Sequence, residues 1–171
     1  MIEKAMYFGK KDIYQKIRDI GGQWNDGKDR PIVCLIESTE KKDLFWAIPV
    51  GNWNHRNGQA QERINKFMSY SDDDIRSCFY HVGKTTVQSI FFVSDVIPIT
   101  KKYIEHDYLG FDKNIFIIKN KNIIIALEDK LKRILSFENS NKNHFRQHIT
   151  DIKLSLIEEL EQEDKVISLF P

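Results

Sequence analysis

Leu44–Arg56 reads LFWAIPVGNWNHR, a segment whose two halves differ in chemistry. Leu44 to Val50 (LFWAIPV) is apolar and rich in strand-forming residues, so it predicts a buried β-strand. Gly51 to Arg56 then supplies a glycine, two asparagines, a tryptophan, a histidine and an arginine. Upstream, Pro31 to Ile36 (PIVCLI) predicts a second strand, and the polar ESTEKKD between the two suits a hairpin. Residues 2 to 8 read as a short strand. Asp12 to Ile20 has apolar residues at helix spacing and is stopped by Gly21-Gly22, and Gln23 to Arg30 is loop.

Downstream, Gln59 to Ser69 has weak helical character. Ser77 to Val82 and Thr85 to Val93 read as strands joined by a turn at Gly83-Lys84. Asp95 to Ile99 reads as an edge piece, because proline is tolerated at a sheet edge and not at its centre. Asn114 to Ile118 reads as one more strand. From Lys121 the period changes: Ile124, Leu127, Leu131, Ile134 and Leu135 share one face, as do Phe145, Ile149, Ile152, Leu156 and Leu160. These are two C-terminal helices broken at Glu138–Asn141. Strands first and helices last predict an α+β domain over residues 1–171, a compact, strongly bent antiparallel sheet with helices packed around it.

With 171 residues, 41% hydrophobic and 30% charged, the chain is that of one well-cored globular domain and not a disordered one. Its apolar runs fall far short of the roughly 20 residues of a membrane span, and no signal-like core opens it, so a cytoplasmic protein is expected. Cys34 and Cys78 sit in strand-like runs and read as buried free thiols. Net charge is only +1, but eight lysines and arginines fall between Lys113 and Arg146 against three acids. Such a stretch is either a local polyanion footprint or a solvated helix face.

His81-Val82-Gly83-Lys84-Thr85-Thr86 contains GKT but is not a phosphate loop: the position five residues before Gly83 is Cys78, and a strand follows where a helix is needed. What remains is a turn carrying Lys84, with His81 before it and Ser89 beyond; an ordinary hairpin with an exposed lysine is the simpler reading. His144 and His148 have the i, i+4 spacing of two metal ligands on a helix, but no further ligand completes a set, and no metal or other cofactor is expected. The signatures of serine, zinc and cysteine hydrolases are absent.

One chemistry that needs few groups is metal-independent RNA cleavage, in which the substrate's own 2′-hydroxyl is the nucleophile. The protein supplies help in removing the 2′ proton, an acid for the departing 5′ oxygen, and donors for the non-bridging oxygens. IPVGNWNHR offers these types: His55 to move a proton, Arg56 to hold phosphate, Asn52 and Asn54 as amide donors, and Trp53 to stack on a base. Alternatively, Trp53 belongs to the core, the asparagines are turn residues and His55 is idle.

A strand ending Ala47-Ile48-Pro49-Val50, a polar loop, a strand pair with a basic turn, then Asp95-Val96-Ile97-Pro98-Ile99 and two helices resembles the toxins of type III toxin–antitoxin systems. These are the ToxN-type endoribonucleases with their CptN and TenpN branches, matched in element order over most of the chain. The resemblance implies a MazF/Kid-like barrel and sequence-selective cleavage of single-stranded, often adenine-rich RNA to 2′,3′-cyclic phosphate ends. It also implies a small structured repeat RNA as antitoxin, which the toxin processes and stays bound to in a closed protein–RNA assembly, and a part in phage defence. No DNA or membrane partner is implied. ToxN-type relatives carry Thr, Ser and Lys in the loop after this strand; aligned on Pro49, those places hold Gly51, Asn52 and Asn54 here. The candidate catalytic groups are therefore His55, Lys84 and Ser89. The candidate RNA contacts are Asn52, Trp53, Asn54, Arg56 and His81, with Lys119, Lys121, Lys132 and Arg133 from the basic stretch. The rival is a non-catalytic RNA-binding module on the same sheet.

Overall fold

The computed structural model describes residues 1–25 and 27–169. The described strands are β1 (Ala5–Gly9), β2 (Ile32–Glu37), β3 (Phe45–Asn52), β4 (Tyr80–Lys84), β5 (Gln88–Phe92), β6 (Ile97–Ile99) and β7 (Ile104–Asp107). The helices are α1 (Lys11–Asp19), α2 (Gly58–Met68), α3 (Lys121–Ser140) and α4 (Ile149–Leu169). All strand pairs are antiparallel, in the order β4-β5-β3-β2-β1-β7, with β6 on β3. The end strands β4 and β7 do not pair, so the sheet is strongly bent but open.

β3 is the hinge of this architecture. One edge carries β2 along its length; the other carries β6 against Phe45–Ala47 and β5 against Val50–Asn52. Pro49 lies at the changeover. The Val50 N–H donates to the Pro31 carbonyl on the β2 side (2.8 Å), so by strand alternation the donor that Pro49 lacks faces the gap between β6 and β5. A one-residue slip in β2 between Cys34 and Ile36 adds bend.

The central strands are buried on both faces, which is why they read as unbroken apolar runs. Val33, Leu35, Trp46, Ile48 and Val50 point to the side covered by α3 through Ile123, Leu127, Leu131 and Ile134. Ile32, Cys34, Phe45 and Ala47 point to the other side, where α1 brings Ile13 and Ile17 and α4 brings Ile152 and Leu156. Further along that second face, α2 places Ile64 on Ile90 and Phe92. Both cysteines are buried and free, and burial pushes the Cys34 thiol up to about 12. No described helix is long and apolar enough to cross a membrane.

Several details depart from the sequence reading. Gly83 and Lys84 belong to β4, and the turn lies at Thr85–Val87, where the Thr85 N–H donates to the Val87 carbonyl (2.9 Å). Ile75–Cys78 forms a 3₁₀ turn before β4. Asn114–Ile118 makes only isolated bridges, Ile115 to Leu109 and Ile117 to Ala5, while β7, a run of polar residues, pairs with β1. α4 begins at Ile149, so His144 and His148 precede the helix and do not share a helical face; His148 has φ 55°. Three converging His, Cys, Asp or Glu side chains are not found among the described residues.

The end of α1 fixes the α3–α4 connection. Gly21 has φ +90°, and a Cβ at Gly22 would lie 2.9 Å from both the Gln147 carbonyl oxygen and Ile17 Cγ2. Gly22→Ala is expected to destabilise the protein by about 1–3 kcal/mol through overpacking. Gly58→Ala, with nothing within 4 Å of the added carbon in the first turn of α2, is expected to leave stability unchanged or raised; urea unfolding of the two variants checks both.

A basic, aromatic-lined cleft as candidate functional site

The helices leave a gap on the second sheet face. α1 and α4 cover one end of that face and α2 the other, and Ile32, Pro49 and Phe92 form the floor between them. The resulting cleft has a volume of about 530 Å³. Lys11, Lys28, Arg30, Arg56, Arg63 and Arg146 line it against two carboxylates, Asp29 and Asp95. Aromatic rings make the walls. Tyr14 and Trp24 stack at 5.1 Å and 4°, and Phe67, Phe79, Tyr80 and Phe92 form an edge-to-face and stacked cluster.

The strand end LFWAIPVGNWNHR explains how Arg56 enters this cleft. After β3 the chain makes a single 3₁₀ turn, Trp53–His55, in which Asn52 Oδ1 accepts from the Asn54 N–H (2.9 Å) and the Arg56 N–H donates to the Trp53 carbonyl (3.0 Å). The turn folds Arg56 back over its own strand. Its guanidinium carbon lies 5.0 Å from the Phe92 ring centroid, and a Cβ at Gly51 would sit 3.0 Å from Arg56 Nη2 and 3.2 Å from the Phe92 ring. Gly51 is the clearance that Arg56 needs. Asn57 then caps α2 through the Ala60 N–H (2.9 Å), and the Gln61 amide donates to the Trp53 carbonyl (3.2 Å), which locks the turn.

Arg30 reaches the same ring from the loop before β2, at 4.9 Å. Burial first, and the Arg56 charge second, push the Arg30 guanidinium below its usual value, although it stays protonated. Neither Arg30 nor Arg56 has an ion pair among the described residues, and Arg56 Nε is buried without a hydrogen-bond partner. Arg146, by contrast, is paired with Asp95 (2.9 Å). Two like charges held against one ring, with the Arg56 Nε donor unfilled, give an arrangement that can accept an anion. Gln147 lies beside them, fully buried, both its N–H groups taken by the Ser94 and Val96 carbonyls (2.9 and 2.8 Å) and its Oε1 unpartnered.

The residues named from sequence do not converge on this cleft as a set. Arg56 lines it; His55, Lys84 and Ser89 do not. His55 and Asn54 are exposed on the 3₁₀ turn, and Trp53 is half-buried against the Ile64, Ile90 and Phe92 cluster. Ser89 faces Asn52 across the β3–β5 ladder, but its hydroxyl is 2% exposed and hydrogen-bonds to Thr85 Oγ1 (2.8 Å) and the Val87 carbonyl (3.1 Å). Lys84 and Lys119 share a separate groove with Thr85, Thr86 and the exposed Phe111. Burial, and then the charge of Lys130, push His81 down to about 4, so its ring is neutral at pH 7.

The basic stretch is divided among surfaces. Lys121 is exposed at the start of α3, and Lys132 lines a cavity beside the β2–β3 hairpin. Arg133 is turned inward, donating to Ser77 Oγ and to the Asp72 and Asp74 carbonyls. None of the candidates Lys119, Lys121, Lys132 and Arg133 lines the cleft; of the eight lysines and arginines in the stretch, only Arg146 does. Arg30, Arg63, Tyr80, Phe92 and Gln147 were missed by sequence reasoning. The one local signal was Arg30-Pro31, a cation placed at the start of a strand.

No family model and no curated protein sequence matches the chain. Among solved structures it is similar to AbiQ, described as a lactococcal anti-phage endoribonuclease belonging to the type-III toxin–antitoxin system. The TM-score is 0.56 at 15% identity, covering 96% of this chain and 97% of AbiQ. The resemblance read from the order of AIPV, the basic hairpin, VIPI and two helices therefore holds at the level of the fold, along nearly the whole chain.

Proposed function

We propose that the protein is a type III toxin endoribonuclease that cleaves single-stranded RNA at selected sequences without a metal ion, leaving 2′,3′-cyclic phosphate. A small structured repeat RNA is its antitoxin, bound and processed by the same cleft in a closed assembly that serves phage defence. The observation that carries this reading is the pair of unpartnered guanidiniums, Arg30 and Arg56, held against Phe92 in an aromatic-walled cleft. Similarity to the AbiQ fold supports it.

In this mechanism the 2′-oxygen attacks phosphorus as its proton leaves, the bond to the 5′-oxygen breaks, and that oxygen takes a proton. Arg30 and Arg56 hold the non-bridging oxygens as charge builds on them. His55, on the turn next to Arg56, carries the proton; Lys84 with Lys119 guides the strand beyond the cleft, and Ser89 holds the Thr85–Val87 turn that follows Lys84. Splayed bases stack on the exposed faces of the Trp24 and Tyr80 walls. A second reading, RNA binding without cleavage, is favoured by the position of His55 outside the cleft lining.

The test is RNA-free protein incubated with a long single-stranded RNA in EDTA, with chemical mapping of new ends. Discrete cuts bearing 2′,3′-cyclic phosphate are expected, abolished in His55→Ala and weakened in Lys84→Ala. Cuts that survive His55→Ala reassign the proton carrier within the cleft. Binding with no cuts establishes the second reading.

A further inference from the structure

A second cavity, of about 610 Å³, lies between α3, the start of α4 and the β2–β3 hairpin, and shares no lining residue with the basic cleft. Its character is the reverse of the cleft's. Ile36, Trp46, Leu131, Leu135 and Ile149 give it an apolar wall, and its five carboxylates outnumber two lysines. One of those lysines, Lys153, has its ammonium on both oxygens of Glu40 (2.8 Å each), and the other, Lys132, is exposed.

Glu138 is the unusual member. It is 2% exposed, on the last turn of α3. Its Oε1 accepts from the Asn143 N–H (2.6 Å), the Thr150 N–H (3.2 Å) and the Thr150 hydroxyl (2.7 Å), tying the α3–α4 connection. Its Oε2 is buried with no partner. Glutamine would supply the same acceptor to that connection without burying a charge, so the tie does not account for a carboxylate. A buried carboxylate oxygen with a free lone pair beside an apolar wall calls for a cationic donor.

Glu128 and Asp129 stand at the opposite end of the cavity on the same helix, roughly 14 Å from Glu138 along the axis at the α-helical rise. We propose that this cavity binds a linear aliphatic polyamine. One terminal ammonium sits on Glu138 Oε2, the methylenes lie along Trp46 and Leu135, and the other end meets Asp129, beside Glu128, whose carboxylate is already 3.6 Å from the Lys4 ammonium. Both features that set the ligand, charge at each end and hydrocarbon between, belong to the chain and are independent of the RNA cleft.

The experiment is calorimetric titration of RNA-free, full-length protein with 1,7-diaminoheptane at physiological salt, with 1,7-heptanediol as the uncharged probe of the same chain length. One saturable site for the diamine and none for the diol is expected. Glu138→Gln, which keeps the Oε1 acceptor, is expected to weaken binding about tenfold or more. Asp129→Lys, at an exposed rim position that does not touch the core, is expected to weaken it several-fold. Absence of saturable uptake, equal binding of the diol, or unchanged affinity in Asp129→Lys together with a folded Glu138→Gln would each overturn the proposal. If Glu138→Gln fails to fold, Asp129→Lys and the diol decide alone.

Discussion

On the proposed mechanism, Arg56→Ala is expected to lower the rate of RNA cleavage on the order of a hundred- to a thousand-fold, with Arg30→Ala close behind. Both guanidiniums lie against the Phe92 ring without a carboxylate of their own, so a phosphate entering the cleft meets donors already in place. Removing one leaves the charge that develops on the non-bridging oxygens half-compensated in a partly water-excluded site. The loss should appear mainly in kcat, since in that mechanism binding also draws on the aromatic walls and the other cations. Arg56→Lys keeps the charge but loses the planar fork and its packing on Phe92, and is expected to recover only part of the rate. The cleft must also stay open, because Gly51 clears the path of Arg56; Gly51→Ala is thus expected to resemble Arg56→Lys in kinetics while leaving the fold intact. Single-turnover cleavage of one defined RNA, with binding measured separately, checks these expectations. Equal loss of binding and cleavage in every variant would identify the arginines as anchors and not as donors to the reacting phosphate.

A second large effect concerns acid. His81 sits on β4 opposite Phe91, under α3, and its folded-state pKa of about 4 lies below the roughly 6.5 of an unfolded histidine. A depressed pKa means that the unfolded chain takes up the proton first. The stabilisation is therefore complete above pH 6.5 and is lost as pH falls from 6.5 toward 4, to an extent that solvent screening of the half-exposed ring reduces. Lys130 contributes to this: its ammonium, whose own pKa is pushed down by burial, donates to the Tyr80 carbonyl (2.6 Å) beside His81. His81→Gln is expected to remove the slope between pH 6.5 and 4 while the carboxylate-dependent loss at lower pH remains. Urea midpoints across that range test it, and an imidazole titrating near 6.5 by NMR would count against it. The same geometry bears on function. A neutral, half-buried His81 can offer a ligand a hydrogen bond but not a charge.

The elements themselves were legible in the sequence because their causes are local. Ile32–Ile36 and Phe45–Val50 are unbroken apolar runs because helices cover both of their faces, and α3 and α4 show the helical period because each buries one stripe. Where the local signal was weak, the reading slipped. β7 (IEHD) is polar and exists only because β1 needs a partner, whereas Asn114–Ile118 is apolar yet makes only isolated bridges. Gly83-Lys84 looked like a turn, but Gly83 is a strand residue kept small by Ile123, whose Cδ1 would lie 2.9 Å from an added Cβ.

The site divides along the same line. Sequence alone determined that Leu44–Val50 is a buried strand and that it ends in a turn carrying Arg56. Which cations share a site was decided only by tertiary structure. Arg30, Arg56 and Arg146 meet because β2, β3 and the α3–α4 connection are brought over one sheet face by long-range pairing, and nothing in the local chain encodes that distance. Tertiary contacts also set the surroundings of two candidates: Arg133 donates to backbone carbonyls, and the Ser89 hydroxyl bonds within its own hairpin. Propensity acts over a few residues and so shows in the sequence. Charge convergence and hydrogen-bond satisfaction act through space, and only the folded chain fixes them.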